Sequence, residues 1–424
     1  MIGAGGAGPT REWRGTALSS TFAWLDYSER ERRKVRDVLD LFREQDTRDE
    51  LGIGVIRDAF ADLLFPGTTT IQTRARYFLF VPWIYLHLEQ NRVPSPRFGA
   101  RLREDETRLT RCLMAAGESD GVIGKVAGDT LQRLPSNIYW LGLQSWGIRL
   151  FPNGQSEYHR SVDSFYASIG RALAAREEHS EELGLRRNWH GGIPSAPASF
   201  PDGATMQLTT EESRYLCERI AAAETRTGQE SMLAFLARRG DSVDCPFAWM
   251  HPLVPEAPSH IQRWLEHMRT FSETIHGGAL LYNLMLARLD GRGELEEEYR
   301  SRLGRWSTIL DERQATLAQW DREDFWRLVS QSGAIVTDRT KNFVNAWLDL
   351  ALDPTRRAAV ADDAAAQILI EDRERWLKKS RARLVNKRAL ENWSGYSGTG
   401  RMVFRWNVAS RHLADIYAGQ DSGA

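Results

Sequence analysis

A chain of 424 residues is long enough for about two or three domains. Its hydrophobic fraction of 42% and charged fraction of 27% predict folded structure over most of the length. The net charge of -1 excludes an overall field that would attract nucleic acid or membranes, so any such preference has to be local. The three cysteines lie far apart without zinc-binding spacing, which predicts free thiols in a cytoplasmic protein.

The N-terminal part, residues 19–183, is predicted to be a helical domain that follows a disordered leader at 1–18. The leader is rich in glycine and lacks the apolar core of a secretory signal. The longest apolar run, 77–88, contains Pro82 and His87 and falls short of the roughly 20 residues that a membrane span needs. We therefore expect a buried core helix there and no membrane contact.

Within this domain, the sequence pattern of residues 121–149 is typical of a helix-turn-helix or winged-helix unit. A predicted short helix lies between Gly121 and Gly128, and a second helix is predicted between Ser136 and Gly147. Asn137 on the second helix and Arg149 after it are then candidates for DNA contact. An ordinary packed pair of helices fits the same pattern, and that alternative stays open.

The stretch 184–208 contains two adjacent glycines and three prolines, so we predict an irregular linker or long loop. A C-terminal helical domain is predicted over 209–424, opened by a cap at Thr209. Short strands are expected near 149–151 and 402–404. The predicted fold class is therefore mostly α and multi-helical, with two or three domains, a possible helix-turn-helix unit and few short strands.

The end of the chain, 373–424, concentrates positive charge. It holds eleven Lys and Arg residues against four acids, and aromatic residues interleave them. Such a surface suits DNA phosphates and stacked bases, although an acidic protein partner or a solvated face fits the same composition. The nucleic-acid-binding candidates in this region are Lys378, Lys379, Arg381, Arg383, Lys387, Arg388, Arg401 and Arg405.

A weaker candidate is the pair Arg74 and Arg76, which follows a threonine-rich helix start that could hold an anion. The alternative is that both arginines bind internal carboxylates such as Asp46, Asp49 or Glu50.

Searches for catalytic motifs find no Walker A sequence, no GxSxG and no nuclease pattern, so we predict no catalytic residues and no cofactor. Four histidines lie close along the chain without an i,i+4 pair, which predicts no metal site. These histidines are His251, His260, His267 and His276.

Four segments, 20–29, 43–54, 71–78 and 134–140, resemble a bacterial family labelled only as a domain of unknown function. The resemblance covers nearly the whole chain from about residue 19. Members of that family often lie in mobile or anti-phage gene clusters, beside helicases and phospholipase-D-like nucleases. The resemblance thus implies a subunit of a defence complex, and it supplies no catalytic residues.

Together these observations predict a non-catalytic DNA-binding or scaffolding subunit of a bacterial anti-phage defence complex. One alternative is an adaptor that docks on a helicase or nuclease partner without touching DNA. A second alternative is an unrecognised nuclease.

Overall fold

A computed structural model describes residues 49–178, 187–223, 225–240 and 243–421. This part of the chain is mostly α-helical, as the sequence predicts, and belongs to one contact unit, 46–424. The predicted leader at 1–18 lies outside the described residues. The helices of the first half are α1 Gly54–Leu64, α2 Tyr77–Gln90, α3 Ser95–Ala115, α4 Pro135–Ser145 and α5 Gln155–Glu178.

The apolar run forms the central helix of this half, because α2 is buried on nearly every side from Tyr77 to Tyr85. The prediction of a buried core helix is confirmed. Across the described residues, no helix combines the length and apolarity that crossing a membrane requires.

The segment 121–128 does not form the short helix expected of a helix-turn-helix unit. It consists of turns, followed by a short 3-10 helix at Gly128–Thr130. The physical reason is that Gly121, Gly124 and Gly128 all adopt positive φ, which interrupts a right-handed helix. The second predicted helix exists as α4, but it begins at Pro135 and its N-cap is Leu134.

The expected short strands are absent from the described ranges. The β-structure found there is one isolated antiparallel bridge between Arg149 and Trp189. Two backbone bonds of 2.8 Å, from Leu150 N to Asn188 O and from His190 N to Ile148 O, hold the two segments together. Residues 402–404 run as a loop that leads into the last helix.

The second half is built around its longest helix, Ser259–Leu289, which packs against the helices Gly293–Glu312, Asp338–Leu352 and Ala364–Lys378. Residues 353–378 form two helices rather than one, because Asp353 and Asp363 each cap a separate helix. The helices are α6 Thr210–Ala221, α7 Met232–Ala237, α8 Ser259–Leu289, α9 Gly293–Glu312, α10 Gln314–Ala318, α11 Arg322–Gln331, α12 Asp338–Leu352, α13 Pro354–Ala358, α14 Ala364–Lys378, α15 Lys387–Leu390 and α16 Trp406–Asp421.

The last helix, α16, packs against α6 and α7 and also reaches the first half of the chain. Its His412 is fully buried, with the rings of Phe78, Tyr139 and Trp146 within 6.3 Å. Residues on both sides of 184–208 thus contribute to one hydrophobic cluster. The division of the chain at 184–208 stays a prediction.

Candidate nucleic-acid interface

The basic C-terminal region runs along α14, through a turn to α15, and then by a loop to α16. The turn begins where α14 ends, since Lys379 has a φ of +52° and cannot continue the helix. Around this turn, some basic side chains face the protein and others face solvent.

Lys378 and Arg383 face inward and share the carboxylate of Glu50. The Arg383 guanidinium lies 3.0 Å from Glu50, and the Lys378 ammonium pairs with the same group. Burial alone would raise the pKa of Glu50, but the two cations outweigh burial and lower it. The charges of both predicted site residues are therefore balanced inside the fold.

The buried carboxylate of Glu374 fixes the same turn. It lies 2.9 Å from the Lys378 ammonium and accepts backbone N–H bonds of 3.0 Å from Arg383 and 2.9 Å from Leu384. The Tyr282 hydroxyl donates to it as well. These hydrogen bonds hold the turn against α8 and so fix the backbone position of the residues that flank the turn.

Three further cations of the region bind the body of the protein. Arg373 is buried and donates to the carbonyls of Leu51 at 2.8 Å and Gly52 at 3.0 Å. Arg405 forms ion pairs of 3.0 Å with Asp58 and 2.6 Å with Asp62 on α1. These contacts join the basic C-terminal region to residues 51–62.

Arg401 lies with its guanidinium carbon 4.3 Å from the ring centre of Phe247 and 3.7 Å from the carboxylate of Glu273. Burial lowers its pKa, and the Glu273 carboxylate opposes that effect. Arg401 therefore also serves an internal contact.

The remaining four candidates face solvent, and we call them the 379–388 cations. None has a side-chain hydrogen bond or ion pair within the described part of the chain. An exposed acid, Glu391, follows them on the same surface. The 379–388 cations are Lys379, Arg381, Lys387 and Arg388.

One exposed aromatic ring accompanies them. Trp376 is 36% exposed, and the guanidinium carbons of Arg339 and Arg373 lie 5.1 Å and 4.9 Å from its ring centre. By contrast, Trp393 and Trp406 are each only 2% exposed. Of the tryptophans that the sequence places in this region, Trp376 is the most exposed, but two guanidinium groups already pack on its ring.

The two candidates from 121–149 make internal contacts. The Asn137 side chain accepts from Leu134 N at 3.0 Å and donates to Gln155. Arg149 is 2% exposed and donates to the carbonyls of Trp140 and Asn153. Burial lowers the pKa of Arg149 to about 10. Asn137 thus caps the start of α4, and Arg149 fixes the loop that follows the helix.

Internal carboxylates engage Arg74 and Arg76, although they differ from those named by sequence reasoning. Arg74 lies 2.8 Å from Asp415 on α16, and Arg76 lies 2.7 Å from Glu212 on α6. Their structural role is to join α2 to two helices of the second half.

The described residues contain no group of three or more His, Cys, Asp or Glu side chains that would hold a metal ion. His267 donates to Asp324 over 2.8 Å, and His276 contacts the Thr399 carbonyl over 2.9 Å.

Sequence reasoning missed one group of cations. Arg226, Arg263 and Arg327 lie on three different elements and line a single surface depression. Their separation along the chain leaves no local motif, so only the tertiary fold brings them together.

The described part of the chain is helical, and it presents four cations without a described partner within one ten-residue segment. The chain belongs to the family of unknown function DUF6361, which matches residues 19–420. No curated protein and no solved structure matches the chain.

Proposed function

We propose that this protein is a non-catalytic DNA-binding subunit that contacts phosphates through the 379–388 cations. One observation carries the proposal: four exposed cations lie within ten residues, have no partner among the described residues, and stand on a turn that buried carboxylates hold in place. Lys and Arg side chains in such a position replace the counterions of the DNA backbone, and this stabilises binding without reading sequence.

The region lacks features of base recognition. The side chains of Asn137 and Arg149, the candidates from 121–149, form hydrogen bonds within the protein, so we leave both out of the proposed interface. Two guanidinium groups already pack on the ring of Trp376, so we assign no base stacking to it. We therefore expect weak, salt-sensitive binding with little sequence preference, in the range of about 10⁻⁴ to 10⁻⁶ M that is typical of non-specific contacts.

The setting of this activity is also a proposal. The matching family has no assigned function, and the gene neighbourhood expected from the resemblance favours a place in a bacterial anti-phage complex, where a helicase or nuclease partner would supply the chemistry. The free thiols of Cys112, Cys217 and Cys245 support work in the reducing cytoplasm.

The test is a fluorescence-anisotropy titration of a DNA duplex with wild type and two quadruple alanine variants. The first variant removes the 379–388 cations. The second is a charge-matched control that removes four other exposed cations without a described partner, namely Arg97, Arg171, Arg187 and Arg214.

We expect the first variant to bind at least about tenfold more weakly than wild type and the control to lose much less. Equal binding by the two variants, or no binding by wild type, would contradict the proposal.

A docking adaptor is the second candidate function, and exposed leucines favour it. Leu141 on α4 is 69% exposed, and Leu150 just beyond the helix is 48% exposed. Leu141→Lys should abolish co-purification with a helicase or nuclease encoded nearby if this surface docks a partner. Unchanged co-purification would exclude Leu141 from the contact.

A further inference from the structure

A second basic site lies in a surface depression of about 360 Å³ between α11, α8 and the loop after α6. Among the described residues, no acidic side chain lines it. Its lining consists of three arginines and three neutral residues that can donate hydrogen bonds, namely Arg226, Thr227, Gln229, Arg263, Arg327 and Gln331.

Two of the arginines share one buried anchor. The Asp324 carboxylate lies 3.5 Å from the Arg263 guanidinium and also pairs with Arg327. Because one carboxylate serves two guanidinium groups that remain substantially exposed, positive charge is left over at the surface.

The anchor itself is held from behind. His267 donates from Nε2 to Asp324 over 2.8 Å, and its Nδ1 accepts from the Trp320 indole over 2.8 Å. A chain of hydrogen bonds therefore fixes the carboxylate that orients two of the three arginines, which is how preorganised anion sites are built.

The third arginine, Arg226, is exposed and has no described partner. It lies across Gly333, where any added Cβ atom would collide with its guanidinium. Gly333 also has a φ of +82°, which favours glycine. Glycine at this position leaves the space that Arg226 occupies at the rim of the depression.

We propose that this depression binds the phosphate monoester of a nucleotide, either free or at the 5′ end of a DNA strand. Three guanidinium groups match the oxygens of a phosphate monoester, and amide and hydroxyl donors complete the set. Arg327 also lines a neighbouring depression of about 650 Å³ that has room for a nucleoside and contains the Trp326 indole, with the Lys341 ammonium 5.4 Å from its ring centre. The site shares no residue with the 379–388 cations.

The experiment is isothermal titration calorimetry with dAMP as the probe. Wild type should bind it, and an Arg226→Ala/Arg327→Ala variant should bind about tenfold or more weakly, since charge-assisted contacts are lost. An Arg97→Ala/Arg214→Ala control and the 379–388 quadruple variant should bind like wild type. Both substituted arginines are exposed, so folding of the double variant is expected to persist and is checked by circular dichroism.

A second arm compares single strands that carry a 5′-phosphate or a 5′-hydroxyl. Tighter binding of the phosphorylated strand, abolished in the double variant, assigns the site to strand ends. Equal binding of both strands alongside dAMP binding assigns it to free nucleotides. Failure of wild type to bind either dAMP or the phosphorylated strand preferentially, or equal binding by the double variant, overturns the proposal.

Discussion

Two sets of cations in the same C-terminal stretch behave in opposite ways. Lys378, Arg383 and Arg405 point inward and pair with carboxylates, whereas the 379–388 cations point outward and pair with nothing described. Inward cations join segments that are distant along the chain, since Glu50 and Lys378 are 328 residues apart. The difference shows that a basic stretch of sequence does not by itself predict a basic surface, because some of its charges pair with carboxylates inside the fold.

The largest expected effect is on stability, from Glu50→Gln. This change leaves Lys378 and Arg383 without their shared carboxylate. We expect a loss of about 3 kcal/mol in the free energy of unfolding, measured by urea denaturation, because an uncompensated charge stays half-buried. The matched control is Glu371→Gln, which removes the exposed partner of Arg375 and should cost about 0.5 kcal/mol or less. Equal effects would show that the inward pairs are no more important than surface ones.

The effect of Glu50 on stability should depend on pH. Its pKa in the folded protein is lowered from 4.5, because Lys378 and Arg383 outweigh the opposing effect of burial. Its contribution is therefore fully present above the unfolded pKa and is lost as pH falls through the folded pKa. The stability gap between wild type and Glu50→Gln should narrow below about pH 4.5. A gap that stays constant down to acid unfolding would refute the ion-pair account.

Glu106 is the converse case, a buried carboxyl without a paired cation. Burial raises its pKa to about 8, and hydrogen bonds from Ser136 only partly oppose that shift. Its stabilising contribution is present below the unfolded pKa and is lost as pH rises through the folded one. Between pH 5 and pH 8, wild type should therefore lose stability relative to Glu106→Gln, as measured by urea denaturation. Exposed Glu104→Gln serves as the control and should track wild type.

The smallest expected effect is on stability when the 379–388 cations are removed. Because they have no described partner, their replacement by alanine should change the free energy of unfolding by about 0.5 kcal/mol or less per residue. Thermal unfolding of the quadruple variant checks this. A large destabilisation would show that these side chains belong with the inward set.

Much of the helical fold follows from local pattern. The aromatic run 77–88 predicts α2, and Thr209 with Glu212 forms the capping box that its sequence signals. The prediction of a helix at 121–128 is wrong. Glycines were expected only to bound that helix, but Gly124 lies inside the segment and, like the two boundary glycines, has a positive φ. Local propensity cannot show which φ a glycine will adopt in its tertiary setting.

The candidate site is harder to predict. Sequence reasoning groups Arg383 with Arg381 and Arg388 because the three are neighbours along the chain. Only the fold shows that Arg383 meets Glu50, which lies 333 residues away. The same limit hides the arginine depression, since Arg226, Arg263 and Arg327 share no local motif.

The central claim is that the 379–388 cations contact DNA phosphates, and its most direct measurement is the salt dependence of duplex binding. Each phosphate contact adds about 0.9 to the slope of log affinity against log salt concentration. The quadruple variant should therefore give a slope shallower than wild type by about 3 to 4, while the charge-matched control keeps a slope near that of wild type. Parallel lines for wild type and the quadruple variant would contradict the claim.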